Sequence, residues 1–415
     1  MNVSVVNLGC KVNRVESDTI AAAYLQQGST LTGVAEADLV VVNTCTVTEE
    51  AEKKTRKTIR KILRENESAP VLVTGCAAAI NPDFYTSLDK RISLIDKHEL
   101  LSEETHGVEH LEEHPLLRVG SYFPTRVGVK VQDGCNHSCS YCIVHVARGK
   151  AWSRPVHLIE QEVCELAQQG VAELVLSGID LGSYSYVDEI TDKRFTLARL
   201  ITKLFESLDA CGCRETRLRI SSIEPRSVKP DFIQVLSQSN GSVCRHLHLP
   251  LQSGSSRVLQ EMNRPYSAKE YLSLVSSLKD SVGDLSLTTD IIVGFPGETD
   301  QDFEQTCRVA REVGFSKIHV FRYSKRAGTP AAMRSDQIEP RIKEQRAHTL
   351  LALSDDLRKS YAMRNIDRIE RVVVEQQGWG MSESYYKIHV DDTQDPGSVI
   401  ASTLASSIEL EEKKS

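Results

Sequence analysis

Short apolar runs alternate with longer amphipathic stretches over the first hundred residues of the chain. Residues 3–6, 39–42 and 71–73 are valine-rich runs of strand length, and residues 17–27 and 48–65 between them have helical periodicity. This repetition of strand and helix predicts a parallel sheet covered by helices. We therefore expect an N-terminal α/β domain over residues 1–105.

The same alternation continues through the middle of the chain, where six strand-like runs are separated by helical stretches. The runs are residues 127–131, 174–177, 218–221, 246–249, 287–292 and 318–323. Six units are too few for a closed eight-stranded barrel, so they predict an open, partial (β/α)6 barrel over residues 121–340. In barrels of this kind the reactive groups lie on loops at the C-terminal ends of the strands.

The last part of the chain lacks the alternation of strand and helix seen in the first two parts. A long helical pattern at residues 342–364 is followed by alternating apolar and polar positions at 371–375 and 385–390. Two strand runs so close together predict a small C-terminal β domain over residues 365–415. The predicted fold class is α/β, with a parallel-sheet domain, a partial barrel and a small β domain in that order.

Composition changes this picture little. The 415 residues are 40% hydrophobic and 26% charged, which is the balance of an ordinary soluble protein of two or three domains. We see neither a signal peptide nor an apolar run long enough to span a membrane, and we expect a cytoplasmic monomer without a membrane partner. Eleven cysteines, an odd number, favour metal ligands and free thiols over a disulfide framework in that compartment.

A loop with three cysteines follows the first strand of the predicted barrel. Cys135, Cys139 and Cys142 occur within residues 134–142, Gly-Cys-Asn-His-Ser-Cys-Ser-Tyr-Cys. Three thiolates on one tight loop can bind three irons of a four-iron cluster and leave the fourth iron open to a small molecule. The alternatives are a structural zinc site with His137 or His145 as fourth ligand, and ordinary buried cysteines. The spacing favours the cluster.

Each predicted strand of the N-terminal domain is also followed by a cysteine. Cys10 ends the run Asn-Leu-Gly-Cys, Cys45 ends Asn-Thr-Cys, and Cys76 ends Thr-Gly-Cys. Because parallel strands place their C-terminal ends at one edge of the sheet, where such sheets bind ligands, we expect these cysteines to meet. We interpret them as ligands of a second cluster, again with an exchangeable iron. Buried cysteines that happen to follow strands are the alternative.

These motifs together resemble a known family. Residues 9–13 (Gly-Cys-Lys-Val-Asn), 43–45 and 74–76, followed by the CxxxCxxC loop with Tyr141 before its third cysteine, are similar to the radical S-adenosylmethionine methylthiotransferases. These enzymes attach a methylthio group to tRNA or to a ribosomal protein. The similarity is strongest to the branch that acts on N6-threonylcarbamoyladenosine in tRNA. It extends through residues 177–184, 221–225, 246–254, 290–298 and 323–330.

The resemblance implies cofactors, partners and a reaction. It implies two [4Fe–4S] clusters, one for each cysteine trio, and S-adenosylmethionine. It implies that the C2 hydrogen of threonylcarbamoyladenosine at position 37, in the anticodon stem-loop of tRNA, is replaced by a methylthio group, with a reducing electron donor as a further partner. The alternatives are a methylthiotransferase for isopentenyladenosine or a ribosomal protein, and a non-catalytic iron–sulfur RNA-binding protein. By position, the C-terminal β domain resembles the TRAM domain with which the family holds RNA.

The resemblance also implies which residues contact S-adenosylmethionine. Glu224, Gln252 and Asp290 stand at the ends of predicted barrel strands and are expected to make polar contacts to it. Gly294 is expected to allow close approach of the adenine, with a turn glycine as the alternative. Tyr141 is expected to pack against the adenine or to fill the barrel mouth. No residue is assigned a catalytic role in proton transfer or covalent chemistry.

The net charge of −7 does not suggest a nucleic-acid partner, but the charges are unevenly distributed. Residues 53–64 contain seven lysines or arginines and no acidic residue. At helical spacing one face carries Lys53, Lys57, Arg60 and Arg64, and the opposite face carries Ile59, Ile62 and Leu63. The basic face is interpreted as a contact for phosphates, with a merely solvated face as the alternative. A capping box of Thr46 and Glu49 is predicted to begin this helix.

Three further features carry weaker predictions. Trp152 occurs where the family has more arginine, and it is predicted to pack in the core, with base stacking as the alternative. Residues 96–114 are acidic with scattered histidines and are predicted to be a solvated connector rather than a metal site. The remaining cysteines have no assigned role; they are Cys164, Cys211, Cys213, Cys244 and Cys307. Of these, Cys211 and Cys213 are predicted to lie at a helix end.

Overall fold

The computed structural model describes residues 1–46, 48–96 and 125–405. The chain divides into two compact units. The first consists of Met1–Arg118, Gly134–Asn136 and Cys142–Lys150, and the second of Val119–Asp133, His137–Tyr141 and Ala151–Ser415. Most of the predicted connector, residues 97–114, lies outside the described residues. Within the described ranges, no helix combines the length and the apolar character that crossing a membrane requires.

The first unit is built on a five-stranded parallel sheet with the order β2-β1-β3-β4-β5. The strands are β1 (Asn2–Asn7), β2 (Thr30–Leu31), β3 (Leu39–Thr44), β4 (Val71–Gly75) and β5 (Ile92–Leu94). The helices are α1 (Lys11–Gln26), α2 (Glu49–Glu65), α3 (Cys76–Ile80), α4 (Pro82–Thr86) and α5 (Val144–Arg148), with a 3-10 turn at Val34–Glu36. Successive valines of β3 pack alternately against α2 and α1, so the central strand is buried on both faces. The predicted α/β sheet is confirmed.

Helix α2 begins later than its predicted capping box. Thr48 is the N-cap residue, and its side chain accepts a hydrogen bond from the Ala51 amide at 3.0 Å. The predicted pair of Thr46 and Glu49 is wrong because Thr46 is buried just beyond β3, whereas Glu49 is the first helical residue. Glutamates in the first turn and Arg64 in the last complement the helix dipole.

The second unit contains the predicted barrel and the C-terminal sheet. Its strands are β6 (Arg126–Lys130), β7 (Gln132–Asp133), β8 (Trp152–Ser153), β9 (Glu173–Ser177), β10 (Ser185–Val187), β11 (Arg194–Thr196), β12 (Arg217–Ile220), β13 (His246–His248), β14 (Ser286–Val293), β15 (Lys317–Arg322), β16 (Ile369–Gln376), β17 (Trp379–Ser382), β18 (Lys387–His389) and β19 (Val399–Thr403). Its helices are α6 (Val156–Gln168), α7 (Leu197–Ala210), α8 (Pro230–Gln238), α9 (Ser256–Glu261), α10 (Ala268–Val282), α11 (Asp300–Val313), α12 (Pro330–Met333) and α13 (Pro340–Arg364), with 3-10 turns at Leu181–Ser183 and Pro225–Ser227.

Six parallel strands of this unit follow one another in sequence order around the partial barrel. Strands β6, β9 and β12 form one parallel sheet, and β13, β14 and β15 form another. Isolated parallel bridges from Leu218 to Val243 and from Ser222 to His248 join the two sheets. The predicted six-stranded barrel is therefore confirmed. The short pairs β7–β8 and β10–β11 are antiparallel additions to it.

The C-terminal sheet is antiparallel, with the order β18-β17-β16-β19. The prediction found β16 but missed β17 and β19, and the strand predicted at residues 385–390 begins only at Lys387. The reason is that Tyr385 adopts a left-handed conformation with φ +68°, which ends regular strand geometry at that point. Tyr386, next to it, is buried and stacks on Tyr361 of α13 with ring centroids 5.7 Å apart.

The turn between β17 and β18 fills the N-terminal end of the barrel. Tyr385 stacks on His246 at the start of β13, with ring centroids 4.7 Å apart. Ser286, at the start of β14, donates from Oγ to the Ser384 carbonyl at 2.7 Å. Arg219 of β12 donates to the carbonyl of Glu383 at 3.0 Å. The C-terminal sheet is thus joined to the barrel at the end opposite to the strand ends that were predicted to carry the chemistry.

Candidate active site

The three N-terminal cysteines lie at one edge of the sheet in the first unit. Cys45 directly follows β3 and Cys76 directly follows β4, and the last residues of these strands, Thr44 and Gly75, are paired in register. Adjacent parallel strands lie about 4.8 Å apart, so Cys45 and Cys76 stand side by side. Cys10 is the N-cap residue of α1 and follows β1, the neighbour of β3 on its other side. The structure brings the three residues to the edge at which parallel sheets bind ligands.

Asn13 connects these cysteines. Its Oδ1 accepts a hydrogen bond from Cys10 Sγ at 3.4 Å, and its Nδ2 donates to Asn43 Oδ1 at 3.0 Å and to the Thr44 carbonyl at 2.9 Å. Asn13 is fully buried. The last residue of the Gly-Cys-Lys-Val-Asn motif therefore fixes Cys10 relative to the chain that enters Cys45.

Two glycines next to the cysteines leave room for this network. A Cβ on Gly9 would lie 2.4 Å from the side chain of Asn13. A Cβ on Gly75, which has φ +91°, would lie 2.4 Å from Asn43 Oδ1 and 2.5 Å from the Thr44 carbonyl. Glycine before Cys10 and before Cys76 is thus required by the packing of the polar groups around the cysteines.

Arg148 completes this cluster from α5. Its Nε donates to Cys76 Sγ at 3.3 Å, and its Nη2 donates to Asn13 Oδ1 at 2.6 Å. Glu16 of α1 accepts from Nη1 at 2.9 Å and from Nη2 at 3.2 Å. The side chains of Arg148 and Glu16 are each 1% exposed. Hydrogen bonds therefore run without a break from Cys10 through Asn13 and Arg148 to Cys76.

The second trio lies on the loop between β7 and α5, after the first barrel strand as predicted. Ser140, within this loop, donates from its backbone amide to the Met262 carbonyl at 3.0 Å. Cys142 Sγ accepts from the Val144 amide at 3.4 Å, at the start of α5. A single segment, residues 134–148, thus supplies the CxxxCxxC cysteines and also the arginine that donates to Cys76.

Arg264 and Glu224 form a buried ion pair beside Cys139. Arg264 Nη1 donates to Cys139 Sγ at 3.3 Å, its Nη2 pairs with Glu224 Oε2, and its Nε donates to the hydroxyl of Tyr266 at 3.2 Å. Burial raises the pKa of the Glu224 carboxyl, although the Arg264 charge opposes that effect. Glu224 Oε1 is buried and accepts no hydrogen bond from any described residue.

Other buried polar atoms at the C-terminal ends of the strands share this property. The hydroxyls of Ser221, after β12, and of Tyr323, after β15, are buried and make no hydrogen bond to the part of the chain that the structure describes. Buried polar groups are nearly always paired, so three unpaired atoms at one end of the barrel point to a polar ligand there. Together with Glu224 Oε1, they fit the predicted S-adenosylmethionine site.

Gln252 and Asp290 are held together by backbone pairing. The Gln252 amide donates to the Asp290 carbonyl at 2.8 Å, and the Gln252 carbonyl accepts from the Ile292 amide at 2.9 Å. Gln252 has φ +64°, an unfavourable conformation for a residue with a side chain, which such pairing stabilises. The Asp290 carboxylate lies 3.3 Å from His248 Nε2. These two predicted contact residues are therefore neighbours, although Asp290 lies within β14 and not at the strand end that was predicted.

Gly294 lies at a turn, and its predicted contact with the adenine stays a prediction. Its φ is +70°, its amide donates to Glu298 Oε2 at 2.6 Å, and a Cβ would lie 2.4 Å from Lys343 Cγ. The aliphatic stem of Lys343 occupies the space that a Cβ would need, so glycine is required at this turn. Tyr141 packs against the apolar cluster that includes Met262 and Phe295, as expected for a residue that fills the barrel mouth.

Several other predictions have clear outcomes. Trp152 is 40% exposed, with Lys130 Nζ 5.8 Å from its ring, so the prediction that it packs in the core is wrong. Base stacking by Trp152 stays a prediction. Cys211 is the C-cap of α7 and Cys213 follows it, as predicted. On α2, Ile59 and Ile62 are buried. The predicted basic face of Lys53, Lys57, Arg60 and Arg64 is exposed, although Lys53 also pairs with Glu49 at 2.6 Å.

Sequence reasoning missed the roles of Glu16, Arg148, Arg264 and His248. It quoted Asn13 within the Gly-Cys-Lys-Val-Asn motif without assigning it a contact. Asn13 lies three residues after Cys10 on a helix that begins there, and that spacing was an available signal. Arg148 and Arg264 reach cysteines that are 72 and 125 residues away in sequence. No local pattern indicates such pairs.

Comparison with known proteins identifies the class to which this arrangement belongs. The family model for the radical SAM superfamily matches residues 129–310, and the model described as uncharacterized protein family UPF0004 matches residues 2–95. Threonylcarbamoyladenosine tRNA methylthiotransferase MtaB of Bacillus subtilis (strain 168) is 34% identical over 414 residues, which cover 94% of this chain and 90% of that protein. The chain therefore belongs to the radical S-adenosylmethionine methylthiotransferase family.

Other relatives fall in the same class. The tRNA-2-methylthio-N(6)-dimethylallyladenosine synthase of Alkaliphilus oremlandii (strain OhILAs) is 32% identical, covering 89% of this chain and 81% of that protein. Among solved structures, the radical S-adenosylmethionine methyltransferase TsrM from Kitasatospora setae has a TM-score of 0.56 at 17% identity, covering 80% of this chain and 77% of that one. At that identity the likeness shows the fold alone.

The family confirms the predicted cofactors, which are two [4Fe–4S] clusters and S-adenosylmethionine. The described residues fit them. The sulfurs of Cys10, Cys45 and Cys76 are the soft ligands that such clusters take, and a cavity of about 230 Å³ lies beside Cys76 and Arg148.

Proposed function

We propose that the protein converts N6-threonylcarbamoyladenosine at position 37 of tRNA to its 2-methylthio derivative by radical S-adenosylmethionine chemistry. The observation that carries the proposal is the second cysteine trio, Cys10, Cys45 and Cys76, at the edge of the N-terminal sheet. A radical S-adenosylmethionine enzyme needs only the CxxxCxxC trio to cleave its cofactor, so a second three-thiolate site fits an enzyme that must also deliver sulfur. The relative from Bacillus subtilis, whose name states this substrate, supports the choice.

The chain's own residues would divide the work as follows. We assign Cys135, Cys139 and Cys142 to the cluster that, when bound, supplies the electron for cleaving S-adenosylmethionine to methionine and a 5′-deoxyadenosyl radical. Glu224 Oε1 would accept a hydrogen bond from the amine or a hydroxyl of S-adenosylmethionine, while Arg264 holds the carboxylate in place through Oε2. Tyr141 would close the apolar side of that site. Gln252 and Asp290 would line its polar side.

We assign the second trio to the cluster that holds the sulfur to be transferred. Arg148 donates to Cys76, and Asn13 holds the chain that enters Cys45 through its hydrogen bond to the Thr44 carbonyl. Asn13, Cys45, Cys76 and Arg148 are buried, so the sheet edge shields most of this site from water, whereas Cys10 is exposed. A low local dielectric strengthens the hydrogen bond that Arg148 donates to Cys76.

The anticodon stem-loop of tRNA is the proposed macromolecular partner. Helix α2, which begins four residues after Cys45, presents Lys57, Arg60 and Arg64 to solvent, and these side chains form no ion pair with another described residue. Such a row can neutralise phosphates close to the sulfur-carrying site. We further propose that the protein works in the cytoplasm as a monomer with a reducing electron donor, and that its C-terminal β domain is TRAM-like.

Nucleoside analysis of tRNA from cells that lack the protein tests the proposal. Accumulation of threonylcarbamoyladenosine without its 2-methylthio derivative, restored by the wild-type chain but not by a Cys76→Ala chain, is the expected result. An unchanged nucleoside profile would overturn it. The matched assay with purified protein is production of 5′-deoxyadenosine and methionine from S-adenosylmethionine under reducing conditions, which a non-catalytic iron–sulfur RNA-binding protein would not give.

The same nucleoside analysis distinguishes the second candidate function, methylthiolation of isopentenyladenosine, from the first. The relative from Alkaliphilus oremlandii is named for dimethylallyladenosine, and its identity to this chain is nearly as high. If that were the substrate, the unthiolated nucleoside that accumulates would be isopentenyladenosine, and threonylcarbamoyladenosine would be unaffected. A ribosomal-protein substrate would leave both nucleosides unchanged.

A further inference from the structure

We propose that Arg148 and Glu16 are positioning residues that set the reduction potential of the cluster bound by Cys10, Cys45 and Cys76. Arg148 raises the potential through its hydrogen bond to Cys76, and Glu16 attenuates that effect. The inference rests on the proposed function only in that it takes these three cysteines as cluster ligands. It adds a role for two residues outside the cysteine motifs.

The geometry fixes where the charge of Arg148 lies. Its Nε is 3.3 Å from Cys76 Sγ, and its two Nη atoms are held by Glu16 and Asn13 at 2.6 to 3.2 Å. A guanidinium held at three points cannot turn away from the sulfur. With 1% of the side chain exposed, water does not screen the interaction.

Hydrogen bonds to the sulfurs, net charge and solvent exposure are the means by which a protein sets the potential of such a cluster. Reduction adds one negative charge to the cluster, so a buried positive charge in contact with a ligand sulfur favours the reduced state and raises the potential. Glu16 brings a negative charge to the same place and opposes the rise. The pair therefore predicts shifts of opposite sign when each charge is removed in turn, which loss of structure alone would not produce.

The position of Arg148 in the sequence gives the pair its context. Arg148 is the last residue of α5, six residues after Cys142 of the CxxxCxxC loop. The same short segment therefore carries ligands for one cluster and tunes a ligand of the other. A second buried arginine, Arg264, makes the corresponding contact with Cys139 at 3.3 Å, which provides an internal comparison.

The test measures the cluster of the first unit by itself. In the full-length chain with Cys135, Cys139 and Cys142 all replaced by alanine, anaerobic reconstitution should leave about four irons per chain. Redox titration followed by electron paramagnetic resonance then gives the midpoint potential of that cluster. Three substitutions are compared in this background: Arg148→Gln, Arg148→Lys and Glu16→Gln.

Arg148→Gln should lower the midpoint potential and change the g values of the reduced cluster. Arg148→Lys retains the charge but not the three-point hold, and should restore part of the shift. Glu16→Gln should raise the potential. Arg91→Gln is the control for loss of structure. Arg91 also donates to backbone carbonyls within the first unit, those of Leu63 and Asn66, but it is bonded to no cysteine. The midpoint potential of the cluster in the Arg91→Gln chain should therefore equal that of the parent.

Equal potentials in the parent and the Arg148→Gln chain, or shifts of the same sign for Arg148→Gln and Glu16→Gln, would overturn the inference. If Arg148→Gln does not bind iron, the other two variants still test the inference. The midpoint potential should then be below that of the parent in Arg148→Lys and above it in Glu16→Gln. Failure of the parent itself to bind about four irons is a different result: it would refute the assignment of Cys10, Cys45 and Cys76, and with it the proposed function.

Discussion

Replacing Glu173 by glutamine should strongly destabilise the second unit, because this carboxylate forms ion pairs with two buried arginines. Its Oε1 accepts from Arg219 Nε at 2.5 Å, and its Oε2 lies 2.6 Å from Arg217 Nη2. The side-chain exposures of the three residues are 0%, 1% and 1%. The same arginines donate to carbonyls of the C-terminal sheet, at Arg371 and Ser382. Glu173→Gln therefore leaves Arg219 without a carboxylate partner and Arg217 with only Glu383, 3.7 Å away, at the junction of barrel and sheet.

Loss of one partner from a buried ion pair costs about 3 to 5 kcal/mol. The free energy of unfolding of a typical protein is about 5 to 15 kcal/mol, so this loss is a large part of the total. The assay is an anaerobic urea titration of the cluster-loaded protein followed by circular dichroism, with hydrogen exchange measured in β16. Both should report a weaker second unit. Arg214→Gln, which breaks the exposed ion pair with Asp209, is the matched control and should change neither measurement.

The pH dependence follows from the same residue. Burial alone would raise the pKa of Glu173, but Arg219 and Arg217 outweigh burial and hold it well below its ordinary value of 4.5. A lowered pKa means that the contribution to stability is complete above about pH 4.5 and is lost as the pH falls below it. The difference between wild type and Glu173→Gln should therefore be constant near neutral pH and shrink in acid. A variant within error of the Arg214→Gln control at pH 7 would refute the reasoning.

Three further predictions concern the site. Glu224→Gln should weaken binding of S-adenosylmethionine roughly tenfold to a hundredfold in equilibrium dialysis, because a hydrogen bond to a charged group contributes about 1.5 to 3 kcal/mol; unchanged affinity would exclude Glu224 as a contact. Gly75→Ala should lower the bound iron by about half, because the new Cβ would overlap Asn43. The control is Gly28→Ala: Gly28 has a similar φ of +78°, but an added Cβ would meet no atom within 4 Å, so this variant should retain the wild-type iron content. Lys57→Gln should reduce the slope of log K for tRNA binding against log salt concentration by about one unit. An unchanged slope would mean that Lys57 on α2 contacts solvent and not a tRNA phosphate.

The sequence was sufficient wherever a local pattern sets the structure. Apolar runs predicted β1, β3 and β4 of the first sheet and the six parallel strands of the barrel, although β2 and β5 were missed. The rule that parallel strands end at one edge brought Cys10, Cys45 and Cys76 together in advance of the structure. The same rule placed Glu224 and Gln252 at the C-terminal end of the barrel. These predictions depend on the hydrophobic period and on strand direction, and both can be read from a single chain.

The sequence was insufficient where side chains from distant positions meet. Nothing local indicates that Glu173 pairs with Arg219, or that Arg264 reaches Cys139. The strand error at residues 385–390 has a related cause, because the left-handed Tyr385 is stabilised by stacking on His246, which is 139 residues earlier in the sequence. Tertiary contacts of this kind override local propensity.

The N-terminal end of the barrel binds the C-terminal sheet, and the other end carries the candidate site. This difference affects which variants can test the role of the C-terminal domain. At the N-terminal end, Arg217 and Arg219 are paired and their remaining donors are taken up by carbonyls of the C-terminal sheet. At the other end, Glu224 and Tyr323 retain buried polar atoms without described partners. Deleting residues 365–415 would therefore remove partners from buried charges and weaken the barrel itself, so loss of tRNA binding after such a deletion would not show that the domain holds RNA. Substitution of exposed side chains such as Lys387, which leaves the buried junction intact, can separate RNA binding from support of the barrel.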